Sequence, residues 1–228
     1  MVQKSEEVSG KLAEVESWRV QEATEISFLG LDWILLPDVY PVQRSSASLF
    51  AWEVLQELEP MDNFLEIGIG PGNNVVMAAK SGLCRRATGT DINPNAVESA
   101  RLNAERHGVA DSLNLLVSDV FDSVDEEKFD LVFWNSPPVL EVNETVDLSN
   151  HERSFFDPGY EAHIRYFTQA RRYLAESGRL MIGFCSRGNY ELLTRTAAEA
   201  GFASEVIAKR PAGHEHWLVE FTELVSPA

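Results

Sequence analysis

At 228 residues, with 36 acidic against 19 basic side chains and a formal net charge of −17 at pH 7, the chain has room for one α/β domain with a full core and a short extension. A field of that sign repels polyanions, and no basic tail or stripe offsets it, since Arg85-Arg86 and Arg171-Arg172 stand as isolated pairs; nucleic acid is therefore a poor candidate partner. No apolar run is long enough to span a membrane and no signal-peptide pattern opens the chain, so a cytoplasmic location is expected, with Cys84 and Cys185 as buried free thiols.

Val8, Leu12, Val15 and Trp18 recur at helical spacing and predict an amphipathic N-terminal helix. Residues 26–29 and 32–35, joined through Gly30-Leu31, predict a small hairpin. The segment from Pro37 through Tyr40 to Val42 then leads into a helix over 46–58. Residues 1–44 thus read as a helix-and-hairpin extension, a candidate lid, on a main domain over 45–228.

The main domain opens with a short apolar run over 63–67 that ends in Gly68-Ile69-Gly70-Pro71-Gly72-Asn73-Asn74, after which 75–80 reads as a helix. Glycines at every second position let the backbone pass close to a ligand, and the helix start adds free N–H groups. The next strand, 87–91, ends in Asp91, about 20 residues beyond the turn, where a nucleotide ribose needs an acceptor. An ionised carboxylate accepts only and can take both ribose hydroxyls. Asn93-Pro94 opens the following helix as N-cap and first-turn proline, and His107-Gly108 closes it. A third strand over 113–117 leads into Ser118-Asp119-Val120-Phe121. Alone, Asp119 is an ordinary turn residue; following Glu66, the glycines and Asp91 in this order, it reads as a ligand contact.

The apolar run 131–134 ends in Asn135-Ser136-Pro137-Pro138, a proline-rich turn after a buried strand. Residues 136–160 form the longest irregular stretch, and loops of that length usually carry function. The stretch holds Glu141, Glu144, Asp147, Glu152 and Asp157 against His151 and Arg153, and reads either as a solvated acidic loop or as a pocket wall. As a wall, Phe155 or Phe156 roofs the pocket and the carboxylates favour a cationic or amine substrate. A helix over 161–174, with Ile164, Phe167, Ala170, Tyr173 and Leu174 on its apolar face, precedes a strand at 179–184 and a helix at 190–200. Strands at 202–208 and 216–224 follow, with only a short turn between them, so that pair must run antiparallel, whereas the strands alternating with helices predict a parallel sheet. His214-Glu215-His216 reads as surface; two histidines beside a turn do not make a metal site, and no metal is expected.

A dinucleotide-binding Rossmann half needs Gly-x-Gly-x-x-Gly, whereas this chain has Glu-x-Gly-x-Gly-x-Gly starting at Glu66. A carboxylate there repels a pyrophosphate but suits the ammonium and sulfonium of S-adenosylmethionine (SAM). From about Tyr40 to Leu224 the chain resembles the class I SAM-dependent methyltransferases, and residues 130–139 resemble the Asn-Pro-Pro-Tyr segment of the small-domain subgroup that includes glutamine and ribosomal RNA methyltransferases. Ser136 replaces the first proline of that segment, and Pro138 stands in place of its aromatic ring.

The resemblance implies a Rossmann-like α/β fold with a seven-stranded, mostly parallel sheet in the order 3-2-1-4-5-7-6, counting sheet strands alone. It implies SAM as cofactor, held by Glu66, Gly68, Gly70, Gly72, Asn73, Asp91, Ile92, Asn93, Asp119, Val120 and Asn135, with Asp119 on the adenine amino group and Tyr40 covering the donor. It also implies that Asn135 grips an acceptor nitrogen, with Pro137 and Pro138 beside it; Ser136 or Tyr40 is expected to add a hydrogen bond, and Phe155 and Phe156 of the irregular stretch are the further candidates on the substrate side. Three outcomes stay open: methyl transfer to an amine or amide nitrogen of a small molecule or peptide, cyclisation of SAM to azetidine-2-carboxylate with release of methylthioadenosine as in methyltransferase-like azetidine synthases, and SAM binding without catalysis. The oligomeric state is left open.

Overall fold

Apolar residues that alternate along each central strand divide between two cores, one on each face of the main sheet. In the strand β3 (Met61–Ile67), Phe64 faces one core while Leu65 and Ile67 face the other; in β6 (Phe129–Asn135), Leu131 and Phe133 oppose Val132 and Trp134 in the same way. The computed structural model describes residues 6–137, 147–212 and 214–224; Pro138, Glu141, Glu144 and the side chain of Val8 lie outside it.

The main sheet has the order β5-β4-β3-β6-β7-β9-β8, where β4 is Cys84–Asp91, β5 Leu113–Val117, β7 Leu174–Cys185, β8 Phe202–Ala212 and β9 His214–Glu223. Counting sheet strands alone, this is 3-2-1-4-5-7-6, the order implied by the resemblance. β5 through β7 pair in parallel, and β9 runs antiparallel to both β7 and β8. The first core is closed by α2 (Ser46–Leu55), α3 (Asn73–Ser81) and α4 (Pro94–Arg106), the second by α6 (Glu161–Ala170) and α7 (Tyr190–Glu199). Among the described residues no helix is long and apolar enough to cross a membrane.

The extension comprises α1 (Glu6–Glu16) and a hairpin of β1 (Thr24–Phe28) and β2 (Leu31–Leu35). Asn103, fully buried on α4, fastens the hairpin to the glycine turn: it accepts from Ile34 N at 2.7 Å and donates to Ile34 O at 3.0 Å and Pro71 O at 2.9 Å. Trp33 and Leu35 of β2 lie in the first core beside Val76 and Ala100.

Of the boundaries that differ from the sequence reading, three bear on the cores and the cavity wall. The helix expected over 161–174 ends at Ala170, and Leu174 already pairs with Phe129 as the start of β7. Apolar spacing could not reveal that change, because Tyr173 and Leu174 serve the same core from either conformation; Gly178 absorbs the register shift, since a Cβ there would meet Phe129 O at 2.7 Å. The helix expected over 46–58 stops at Leu55, its last residues tightening into turns through Glu57 N to Val54 O and Leu58 N to Leu55 O. Inside the stretch read as irregular stands a one-turn helix, α5 (Asn150–Arg153), whose capping box pairs Ser149 with Glu152.

Candidate functional site

Parallel strands leave their C-terminal ends open where the strand order departs in two directions from a central pair, here β3 and β6. A cavity of about 390 Å³ lies there, lined from both sides of that switch point.

On one side, β3 delivers Glu66, 1% exposed, whose Oε1 accepts from Asn74 Nδ2 at 2.7 Å; Asn74 is held in turn by Asn73 Nδ2 at 2.9 Å. Burial pushes the Glu66 carboxyl up to about 8, against the Asn74 hydrogen bond that favours its charge. Its Oε2 is buried with no partner among the described residues, a deficit that a cationic donor group would remove. Gly68 follows at φ 65°, and a Cβ there would lie 2.9 Å from Trp134 Nε1, so glycine alone lets the indole close on the turn. Gly72, at φ 84°, lies outside the cavity lining as the N-cap of α3, where a Cβ would meet Ala100 Cβ at 2.8 Å.

Asp91, at the end of β4, ties the turn to the next loop: Oδ2 accepts from Gly70 N and Oδ1 from Asn93 N, both at 2.9 Å. Each oxygen keeps a lone pair for a ribose hydroxyl. Burial raises this carboxyl to about 6. Ile92 and Asn93 line the cavity beside it, and Asn93 caps α4 while donating to Asp38 O at 2.9 Å. Beyond β5, Arg165 bonds both the carboxylate of Asp119 at 2.7 Å and its carbonyl at 2.9 Å, fixing the loop. Val120, buried at φ 53°, is a strained position for a β-branched residue, held by Thr90 Oγ1 at 3.1 Å.

The opposite side begins with Asn135, half-buried at the end of β6, followed by Ser136 and Pro137, both buried and both lining the cavity. Tyr40 lines it as well, packing on Phe155 at 5.1 Å and Trp18 at 6.2 Å between ring centroids. Burial holds the Tyr40 hydroxyl above its ordinary range, so it is a poor base. Phe155 and Phe156 are 5% and 2% exposed and join Val15 of α1 in a third apolar cluster. His151 Nε2 lies 2.9 Å from Val15 O, and Glu14 pairs with Arg187 at 3.1 Å, so α1 is tied to the wall it covers.

His216 corrects the surface reading. It is 6% exposed, lines the cavity and shares a 2.8 Å hydrogen bond with Ser46 Oγ, because the pairing of β9 with β7 sets it opposite Cys185. Burial lowers its pKa, keeping it neutral. No metal-ligand cluster occurs among the described residues. Sequence reasoning also passed over Trp18 as a site residue, Asn74 as the partner of Glu66, and Gly183; a glycine inside a strand was the available signal for the last.

A family model described as a methyltransferase domain matches residues 58–221. A Methanocaldococcus jannaschii protein provisionally named a protein N5-glutamine methyltransferase is 28% identical over 197 residues, 85% of this chain and 96% of that one. The release factor glutamine methyltransferase of Geobacter sulfurreducens is 28% identical over 193 residues, covering 82% of this chain and 66% of the longer relative. In fold, the chain is similar to a T. thermophilus 16S rRNA N2 methyltransferase solved with AdoMet and guanosine, with a TM-score of 0.62 at 19% identity over 90% of this chain and 50% of that chain. With the strand order, the acidic and glycine-lined half of the cavity and a family match over most of its length in agreement, this chain belongs to the SAM-dependent methyltransferase domain family.

Proposed function

We propose that the protein transfers a methyl group from SAM to an amide or amine nitrogen of a peptide or small-molecule acceptor, with Asn135 orienting that nitrogen. The observation that carries this reading is the position of Asn135: across the switch point from Glu66 and Asp91, in the same cavity. Two relatives bearing glutamine methyltransferase names, each matched over more than four fifths of this chain, support a carboxamide nitrogen as the first acceptor to test. Charge supports a peptide over a nucleic acid, since Arg85, Arg86, Arg171 and Arg172 are each engaged by a carboxylate.

In this reading Asp91 takes the ribose hydroxyls, Asp119 and Val120 border the base, and Glu66, through its unpartnered oxygen, answers the ammonium of the amino-acid portion. SAM supplies an activated methyl carbon on a sulfonium sulfur. The protein's task is to hold the nucleophile in line and exclude water, and alignment alone supplies much of the acceleration. Asn135 cannot titrate, so its carbonyl oxygen accepts from the nitrogen without competing for the methyl group. Burial holds Tyr40 and Cys185 above their ordinary pKa values, so the nitrogen must arrive with its lone pair free. Phe155, Phe156 and Trp18 give that wall its apolar face.

The test is to incubate the protein with SAM, with and without glutamine-containing peptides, and follow the adenosine products by mass spectrometry. S-adenosylhomocysteine forming with a methylated peptide is expected. Methylthioadenosine forming from SAM alone would replace this reading by cyclisation, and binding without either product would replace it by an accessory role.

A further inference from the structure

Strand β7 passes beside Asn135 with a glycine where the register demands contact. Gly183 is the parallel partner of Asn135, so their side-chain positions share one face of the sheet. A Cβ on Gly183 would lie 2.6 Å from Asn135 Oδ1 and 3.4 Å from its Cα and Cγ. No positive φ is involved, so this glycine is required by close approach rather than by backbone conformation. The Gly183 carbonyl meanwhile accepts twice from one residue: Ser136 N at 3.0 Å and Ser136 Oγ at 3.1 Å. That pair of bonds carries the β6–β7 ladder one residue past Asn135. A proline at 136 could supply neither donor.

We infer that Gly183 and Ser136 are positioning residues that set the side-chain direction of Asn135, Gly183 by leaving the space its amide lies in and Ser136 by locking the backbone that carries it. The inference rests on the reading of Asn135 as the acceptor-orienting group and assigns Ser136 a supporting role in place of direct contact with the reacting nitrogen. A side chain at 183 must push the amide out of its place; loss of the Ser136 N–H frees the strand end beneath it.

The test uses the full chain with SAM as probe. Side-chain amide signals of Asn135, identified by their loss in Asn135→Ala, are followed in ¹⁵N–¹H spectra of Gly183→Ala, Ser136→Ala and Ser136→Pro. We expect the pair to move in Gly183→Ala and Ser136→Pro and to move least in Ser136→Ala, which keeps its N–H. SAM dissociation constants should stay within about twofold for Gly183→Ala, because β6 stands between β7 and the strand ends that carry Glu66 and Asp91. A double-mutant cycle separates positioning from general packing: Gly183→Ala should lower the melting temperature by about 2–4 °C alone and by little in the Asn135→Ala background, where the colliding oxygen is gone. An unmoved amide pair, or equal cost in both backgrounds, overturns the inference. Undiminished methyl transfer by Asn135→Ala would instead overturn the reading it rests on, whatever the spectra show.

Discussion

The two halves of the cavity are built differently. The half proposed to hold the donor comes from three neighbouring strand ends, β3, β4 and β5, and is tied together by bonds between adjacent loops such as Gly70 N and Asn93 N to Asp91. The acceptor half gathers Trp18, Tyr40, Asn135, Phe155, Gly183 and His216 from six separate stretches of chain. A half made of adjacent strand ends can hold one ligand under many different acceptor walls; a half gathered from scattered stretches of chain can change acceptor without disturbing the donor.

That contrast predicts separable losses. The largest is Asp91→Ala, which removes both proposed ribose acceptors and unties the glycine turn; SAM affinity should fall by several hundredfold, about 3–4 kcal/mol, in calorimetry. Retained affinity would break the distinction between the halves.

Acid–base behaviour sharpens it next. Burial raises the carboxyl of Glu66 to about 8 and that of Asp91 to about 6. The folded chain therefore holds protons that the unfolded chain has released, and these groups cost stability increasingly as pH rises from the ordinary carboxylate range to about 8. A cationic ligand draws those protons off, so SAM affinity should rise between pH 6 and 8, by at most about tenfold per pH unit, with proton release seen in buffers of different ionisation heat. Glu66→Gln should flatten the upper part of that profile; an affinity that falls across the window contradicts it.

Phe155→Ala acts on the other half. It should lower stability by about 3 kcal/mol, read from denaturant melts, and raise the acceptor KM while SAM affinity stays within about threefold. The smallest effect expected is that of Arg165→Gln, which frees Asp119 and should weaken SAM binding by about threefold in calorimetry.

Legibility in the sequence followed the same division. The placement of Asp91 beside the glycine turn was readable because one strand–helix–strand step separates them; the parallel character of the sheet followed from the alternation of elements, while its order came with the resemblance. His216 was misread because its burial depends on pairing with Cys185, thirty-odd positions away and invisible to periodicity. Gly183 is a plain strand glycine until Asn135 is known to be its register partner. Trp18 showed only as part of a helical stripe; its role depends on meeting Phe155 edge-on at 5.8 Å. Leu174 belonged to the right core but the wrong element, because apolar spacing reports the face and not the backbone.

The most direct test of the account is the rate of methyl transfer to a glutamine-containing peptide by SAM-saturated Asn135→Ala. A fall of about 100-fold or more, with the enzyme still saturated by SAM as in the unaltered protein, is the predicted result. An unchanged rate would contradict the assignment of Asn135 to the acceptor, and failure to saturate with SAM would contradict the division of the cavity into two halves.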